Sequence, residues 1–170
     1  MKILGEFQRS GDVIERRFTG AERRMLANLT RGVVETMAAA EDPASAADPV
    51  LRRLLPDGHR GDPEIAAEYR ELTEASLRSG KADDLATMRA SLPADGGEVR
   101  LDPDQAAAWL RTSNDLRLAL GVRLDVTEDT EPPDDVTDDD EAQQLVLYYW
   151  LTALQGSLVD ALAAGRDGRR

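Results

Sequence analysis

The chain has 170 residues and a mass of 18.6 kDa, a length that suits one domain with a sizeable core. Cysteine is absent and histidine occurs once, which excludes a disulfide scaffold, a thiolate nucleophile and any cysteine-ligated zinc or iron–sulfur site. The formal net charge of -12 disfavours binding to the phosphates of nucleic acids.

Residues 1–18 predict a β-hairpin. Ser10-Gly11 can form a two-residue turn in which Gly11 supplies the positive φ. Such a turn would place Phe7 opposite Ile14, with Phe18 on the same face of the strand as Ile14. We therefore expect a small β element at the start of the chain.

Helical patterns follow the hairpin. Thr19 and Glu22 form a T-x-x-E capping box that predicts the start of the first helix. Three Asp-Pro pairs predict three more starts, because the aspartate caps free amide groups and proline suits the first helical position. These pairs are Asp48-Pro49, Asp62-Pro63 and Asp102-Pro103.

Gly80 is expected to end the helix that begins at Asp62-Pro63. A separate short helix would then cover residues 82–92, and the two together resemble a helix-turn-helix. The second helix carries Asp83 and Asp84 against Arg89 alone, so it would repel phosphates. A DNA-binding transcriptional regulator is therefore the weaker alternative.

The negative charge is concentrated in one segment. Ten acidic residues lie between Asp125 and Glu141, and no lysine or arginine occurs from Leu124 to Gly165. We expect residues 125–141 to be a mobile, solvated linker, with a partner-docking site as the alternative. Its carboxylates lack the spacing and the glycine of an EF-hand loop, so no metal site is predicted; they include Asp134, Asp135, Asp138, Asp139, Asp140 and Glu141.

The strongest helical pattern covers residues 141–164, where leucines recur at three- and four-residue steps. Within it, Tyr148, Tyr149 and Trp150 span roughly 200° of the helix surface. Either the helix packs on several sides in the core, or one aromatic face is a dimer or partner interface. We favour a central core helix that also contributes to a homodimer.

Two further sets of residues are candidates for a site. Trp109, Asn114 and Arg117 could form a pocket for a carboxylate or a peptide end, and the alternative is a structural hydrogen bond made by Asn114. His59 lies in a turn-rich loop without a nucleophile motif, so we interpret it as an exposed loop residue. No cofactor-binding motif occurs, since Gly96-Gly97 lacks the pattern of a phosphate loop.

Three stretches carry a resemblance to a known family: Trp109-Leu110, the sequence NDLRLALG at 114–121 and the sequence YYWLTALQ at 148–155. Together they resemble an uncharacterised actinobacterial family known only as a domain of unknown function. The similarity covers nearly the whole chain. It implies a bacterial cytosolic protein whose gene often neighbours that of the Clp protease adaptor. The family has no known catalytic residues to transfer.

The sequence thus predicts a single, mainly α domain over 1–170. We expect an irregular or orthogonal helical bundle around the C-terminal helix, with the hairpin at its edge. The leading functional hypothesis is a non-enzymatic, cytoplasmic regulatory protein that needs no cofactor and binds no membrane. The family resemblance adds a link to Clp-dependent proteolysis. A small-molecule enzyme with carboxylates in an interhelical cleft is the third hypothesis.

Overall fold

The structure is a computed structural model that describes residues 5–39, 47–56, 63–133 and 139–167, with the backbone alone described for 63–72 and 165–167. These residues form five helices and one three-stranded sheet, which confirms the predicted mainly α fold with a small β element. The elements are β1 (Gln8–Ser10), β2 (Val13–Phe18), α1 (Gly20–Ala39), α2 (Pro49–Leu54), α3 (Pro63–Ser91), β3 (Gly97–Leu101), α4 (Pro103–Arg123) and α5 (Asp140–Asp167).

The sheet is antiparallel with the order β1-β2-β3. The hairpin is confirmed, but its predicted register is wrong. Ser10 pairs with Val13 and Arg9 with Ile14, so the turn is Gly11-Asp12, with Gly11 at φ 63°. This register differs from the predicted one by two residues. A shift of two leaves every side chain on its original face, so Phe7 and Ile14 still point into the core.

Side-chain caps start the helices as predicted. In α1 the amide of Glu22 donates to Thr19 Oγ1 at 3.1 Å, and the amide of Thr19 donates to Glu22 Oε2 at 2.8 Å. Asp102 and Gln105 form the same reciprocal box at α4, and Asp48 accepts from the amide of Val50 at 2.7 Å in α2. Helix α3 begins at Pro63, as predicted, while its expected cap Asp62 lies outside the described residues.

The predicted helix end at Gly80 is wrong. Helix α3 runs without interruption from Pro63 to Ser91. An interior glycine costs a helix only about 1 kcal/mol relative to alanine. Just beyond it, Leu85 and Met88 are 2% and 0% exposed, so burial of this helix face outweighs that cost. The turn on which the helix-turn-helix alternative depended is therefore not formed.

The core lies where the sheet meets α4 and α5. The rings of Phe7, Phe18 and Trp109 form a cluster with centroids 5.5 to 6.0 Å apart. Helix α5 adds three leucines that are at most 1% exposed, namely Leu151, Leu154 and Leu158. The predicted central helix over 141–164 is thus present with slightly wider bounds.

Helix α5 also has the length and apolar composition that a membrane-crossing helix needs, over Asp140–Ala164. From the sequence we expect a protein that binds no membrane. A core helix of a soluble protein meets the same criteria, and α5 places Trp150 and several leucines in the protein core. The property is therefore weak evidence for a membrane.

Candidate functional site

The structure separates the three residues of the predicted pocket. Trp109 is fully buried in the aromatic cluster, and its indole N–H donates to Ser91 Oγ at 2.7 Å. Arg117 and Asn114 lie together, with Arg117 Nη2 3.5 Å from Asn114 Oδ1. The Arg117 guanidinium also lies 6.0 Å from the centre of the Tyr148 ring. Asn114 and Arg117 are therefore neighbours, whereas Trp109 belongs to the core.

The three adjacent aromatic residues of α5 all contact their own chain. Trp150 is 3% exposed and packs in the core, as one of the two sequence-based alternatives expected. Tyr148 packs partly buried against the core, and the Tyr149 hydroxyl donates to the carbonyl oxygen of Thr130 at 2.5 Å. The partner interface predicted for these residues stays a prediction, and Trp150 offers almost no surface to it.

The first part of the acidic segment is folded against the end of α4. The amide of Val126 donates to the carbonyl of Gly121 at 2.9 Å, and the amide of Thr127 donates to Thr130 Oγ1 at 2.9 Å. Asp139 accepts from the amide of Ala142 at the start of α5. Residues Asp134, Asp135 and Asp138 of this segment, like His59, lie outside the described residues.

Asn114 lines a cleft between α3, α4 and α5 that encloses about 600 Å³. Its walls also contain charged, apolar and small residues from all three helices. The remaining lining residues are Ser76, Leu77, Gly80, Lys81, Asp84, Leu110, Arg111, Asp115 and Gln155. Neither Trp109 nor Arg117 lines this cleft, so of the predicted pocket only Asn114 contributes to it.

Two ion pairs cross the cleft from α3 to α4. Lys81 Nζ lies 2.7 Å from both carboxylate oxygens of Asp115. Arg111 binds Asp84 with two parallel hydrogen bonds, each 2.7 Å long. Both carboxylates are thus neutralised by a cation from the facing helix, and the charged part of the cleft has no net charge.

Asp115 is a buried acid whose pKa is shifted. Burial raises the pKa of its carboxyl group, and the hydrogen bonds and charge of Lys81 offset only part of that effect, so the pKa remains above its ordinary value of 3.8. Lys81 therefore holds a carboxylate whose ionisation the surrounding protein disfavours.

The rest of the cleft is apolar or carries neutral polar groups. Leu77 is 40% exposed, and Leu110 packs partly buried beside the core. Within the part of the chain that the structure describes, no hydrogen bond occupies the side-chain amide of Gln155, the amide nitrogen of Asn114 or the hydroxyl of Ser76. The cleft can therefore offer an apolar wall and free hydrogen-bonding groups to a ligand.

Sequence reasoning found Asn114 and missed the charged residues. The sequence does contain a pattern that could have revealed these charges. Lys81 and Asp84 are three residues apart, and Arg111 and Asp115 are four residues apart, so each pair lies on one face of its helix. The expected helix end at Gly80 hid this pattern, because it placed the residues of α3 that line the cleft on two separate helices.

Comparison with known proteins gives a family and several named relatives. The model of the family described as "Domain of unknown function (DUF2017)" matches residues 4–162. The chain is 34% identical over 133 residues to the "Oxidative stress regulator AosR" of Mycobacterium tuberculosis, covering 70% of this chain and 60% of that protein. It is 35% identical over 131 residues to the "Putative oxidative stress regulator AosR" of Mycobacterium leprae, with 69% and 59% covered. No solved structure matches the chain.

Proposed function

The chain belongs to the DUF2017 family, and from this membership together with the cleft we propose that it is a regulatory protein that binds a short segment of a partner protein between α3, α4 and α5. The named relatives support the regulatory part of this proposal. The chain spans about 60% of the length of these relatives, so their full activity is not assumed for it.

The composition of the cleft carries the binding part of the proposal. A side-chain amide has one acceptor and two donor hydrogens, so the free groups of Asn114 and Gln155 can pair with the C=O and N–H of a peptide backbone. Leu77 and Leu110 would contact an apolar side chain of the same segment. A cleft of about 600 Å³ lies within the range of known ligand sites.

The two ion pairs shape the cleft without selecting a charged ligand. Lys81 and Asp115 satisfy each other, as do Arg111 and Asp84. A charged ligand group would have to compete with these pairs, whereas an apolar side chain would not. We therefore infer that the bound segment is apolar at its centre.

Binding to a partner also fits the composition of the chain better than thiol-based sensing of oxidants. Thiol-based sensing of oxidants requires a cysteine thiolate, and these 170 residues contain no cysteine. The absence of cysteine therefore favours contact with another protein as the way in which these residues would take part in an oxidative-stress response.

The enzymatic alternative would use the same cleft, because Asp84 and Asp115 both line it. Each carboxylate already binds a cation with both of its oxygens. Neither is free to act as a general base in this arrangement. Among the described residues no group of histidine and acidic side chains could hold a metal ion. Partner binding is therefore the better-supported function.

A photo-reactive amino acid placed at position 77 in the full chain tests the proposal. We expect cross-linking in an actinobacterial host to yield a discrete partner protein, joined through an apolar segment. The same amino acid at Val34, which is 36% exposed on α1, is the matched control and should not capture that partner. Equal capture from both positions, or none from position 77, would contradict the proposal.

The identity of the captured protein also tests a finer prediction. The link to Clp-dependent proteolysis rests on the family resemblance alone. Recovery of a Clp adaptor or protease subunit from position 77 would support it, and recovery of an unrelated partner would oppose it while leaving the cleft proposal intact.

A further inference from the structure

A second surface, distinct from the cleft, is a groove between α1 and the end of α3 that encloses about 500 Å³. Three arginines line it, Arg23 and Arg31 from α1 and Arg89 from α3, and we call it the arginine groove. Its floor includes the small side chains Ala27, Ala86 and Ala90. The groove therefore concentrates positive charge on a protein whose formal net charge is -12.

The three arginines have no anionic partner among the residues that the structure describes. None of them occurs in an ion pair there, although the chain has 33 acidic residues against 21 basic ones. The Arg23 Nε atom is buried and lacks an acceptor. A buried N–H donor without an acceptor destabilises a protein, and an anion in the groove would relieve that cost.

The spacing of the arginines favours an elongated anion. Arg23, Ala27 and Arg31 are four residues apart and lie on one face of α1. At a rise of about 1.5 Å per residue, Arg23 and Arg31 are separated by about 12 Å along the helix axis. A ligand with several negative charges spread over a similar length matches this pattern better than one compact anion.

The chain itself contains such a ligand in residues 125–131, the first part of its acidic segment. The described acidic residues of its first half are exposed and form no ion pair with a described cation; they are Asp125, Glu128, Asp129 and Glu131. These four carboxylates and the three arginines of the groove are therefore complementary in charge, and neither set forms an ion pair with another described residue of the same chain.

The start of the acidic segment does not lie at the arginine groove of its own molecule. Arg123, two residues before the segment, donates to Thr36 Oγ1 at 3.2 Å. Thr36 follows Ala27 by nine residues, which corresponds to about 180° around α1. The segment thus begins on the side of α1 opposite to the arginine groove, which favours an acidic occupant from another molecule.

We propose that the arginine groove binds residues 125–131, the first part of the acidic segment, of a second copy of this chain. A two-fold arrangement places each groove against the other copy's segment, so that two equivalent contacts close the dimer. The contacts join exposed charges, which salt screens over a Debye length of about 8 Å at physiological ionic strength. The dimer should therefore dissociate as the salt concentration rises.

The mass of the full chain in solution, measured by light scattering after size-exclusion chromatography, tests this proposal. We expect a dimer at low salt, near 0.01 M, and a monomer near 1 M, where the Debye length falls from about 30 Å to about 3 Å. The triple variant Arg23→Glu, Arg31→Glu, Arg89→Glu should be monomeric at both salt concentrations. A wild-type chain that is monomeric at low salt would overturn the proposal.

A matched control separates the groove from the overall charge. The variant Arg17→Glu, Arg24→Glu, Arg53→Glu changes the net charge equally at exposed arginines outside the groove and should remain a dimer at low salt. The variant Glu128→Lys, Asp129→Lys, Glu131→Lys should be monomeric alone. Circular dichroism establishes that each variant is folded.

Mixing the groove variant (arginines to glutamate) with the segment variant (acids to lysine) should restore dimer formation. The glutamate-substituted groove should bind the lysine-substituted segment, and a mixed dimer should form at low salt. Failure of the mixture to associate would overturn the assigned contact. Saturable binding of inorganic phosphate or of a short single-stranded DNA to the groove of a monomer would also overturn it, because the groove would then serve a phosphate ligand. Neither result bears on the cleft.

Discussion

The Arg16 guanidinium lies 2.7 Å from the carboxylate of Glu22, and this buried ion pair joins the sheet to the start of α1. Arg16 also donates to the carbonyl of Gly5 at 2.8 Å and lies over the ring of Phe18, 4.1 Å from its centre. Glu22 is at the same time the capping residue that binds Thr19. One carboxylate therefore neutralises the buried cation and fixes the entry into the first helix.

Substitution of Glu22 should destabilise the protein strongly. Glu22→Gln leaves the Arg16 side chain, which is 0% exposed, without a counter-charge, and removal of one partner of a buried pair costs about 3–5 kcal/mol. Glu15→Gln is the control, because its partner Arg100 is 59% exposed and such pairs contribute about 0–1 kcal/mol. Urea unfolding followed by the fluorescence of buried Trp109 and Trp150 measures both. Equal losses of unfolding free energy in Glu22→Gln and Glu15→Gln would contradict the role of Glu22 as the counter-charge of a buried arginine.

The same carboxylate gives a defined pH dependence. Burial by itself raises the pKa of Glu22, but the hydrogen bonds from Thr19 and the charge of Arg16 outweigh burial and lower it below 4.5. The stabilisation is thus fully present above the ordinary value and is lost as the pH falls through the lowered value. The difference in unfolding free energy between the wild type and Glu22→Gln should shrink as the pH falls below about 4.5. A difference that stays constant would contradict this.

Asp115 should make the stability of the protein change with pH in the direction opposite to that caused by Glu22. Burial, only partly offset by Lys81, raises its pKa above 3.8, so the folded state holds this proton more tightly than the unfolded state. The wild type should then lose stability relative to Asp115→Asn as the pH rises from 3.8 through the raised value. Urea unfolding of both proteins across this pH range measures the difference in their unfolding free energies. A gain in stability of the wild type relative to Asp115→Asn as the pH rises would contradict the prediction.

The continuity of α3 can be tested at Gly80. A methyl group added there meets no atom within 4 Å, and alanine is favoured over glycine inside a helix by about 0.5–1 kcal/mol. Gly80→Ala should therefore raise the unfolding free energy by that amount. Gly121→Ala in α4 is the matched control, because its added carbon would lie 3.1 Å from the Tyr148 ring, and its gain should be smaller. A loss of stability in Gly80→Ala would indicate a turn.

The sequence predicted best those features that depend on neighbouring residues. The capping box at Thr19 and the Asp-Pro starts at Asp48 and Asp102 were found because a cap and its amide are within three residues of each other. The continuation of α3 through Gly80 depends instead on the burial of Leu85 and Met88 against distant elements. The helix propensities of the residues around Gly80 do not indicate which distant elements bury Leu85 and Met88.

The candidate site was harder to predict for the same reason. The cleft exists because α3, α4 and α5 pack together, and its pairs join Lys81 to Asp115 and Asp84 to Arg111 across gaps of 34 and 27 residues. The sequence shows that these charges are present but gives no pairing. Arg16 illustrates a related difficulty, since its position between Ile14 and Phe18 on one strand face predicts burial against the ordinary preference of arginine.

The affinity of the captured partner segment for the cleft is the decisive measurement for partner binding between α3, α4 and α5. Isothermal titration of the full chain with that segment as a synthetic peptide should give saturable binding. Leu77→Asp should weaken it at least about tenfold, which corresponds to a loss of about 1.4 kcal/mol. Val34→Asp, the same change at an exposed position on α1, should leave the affinity unchanged. Equal affinities for Leu77→Asp and the wild type would contradict the account.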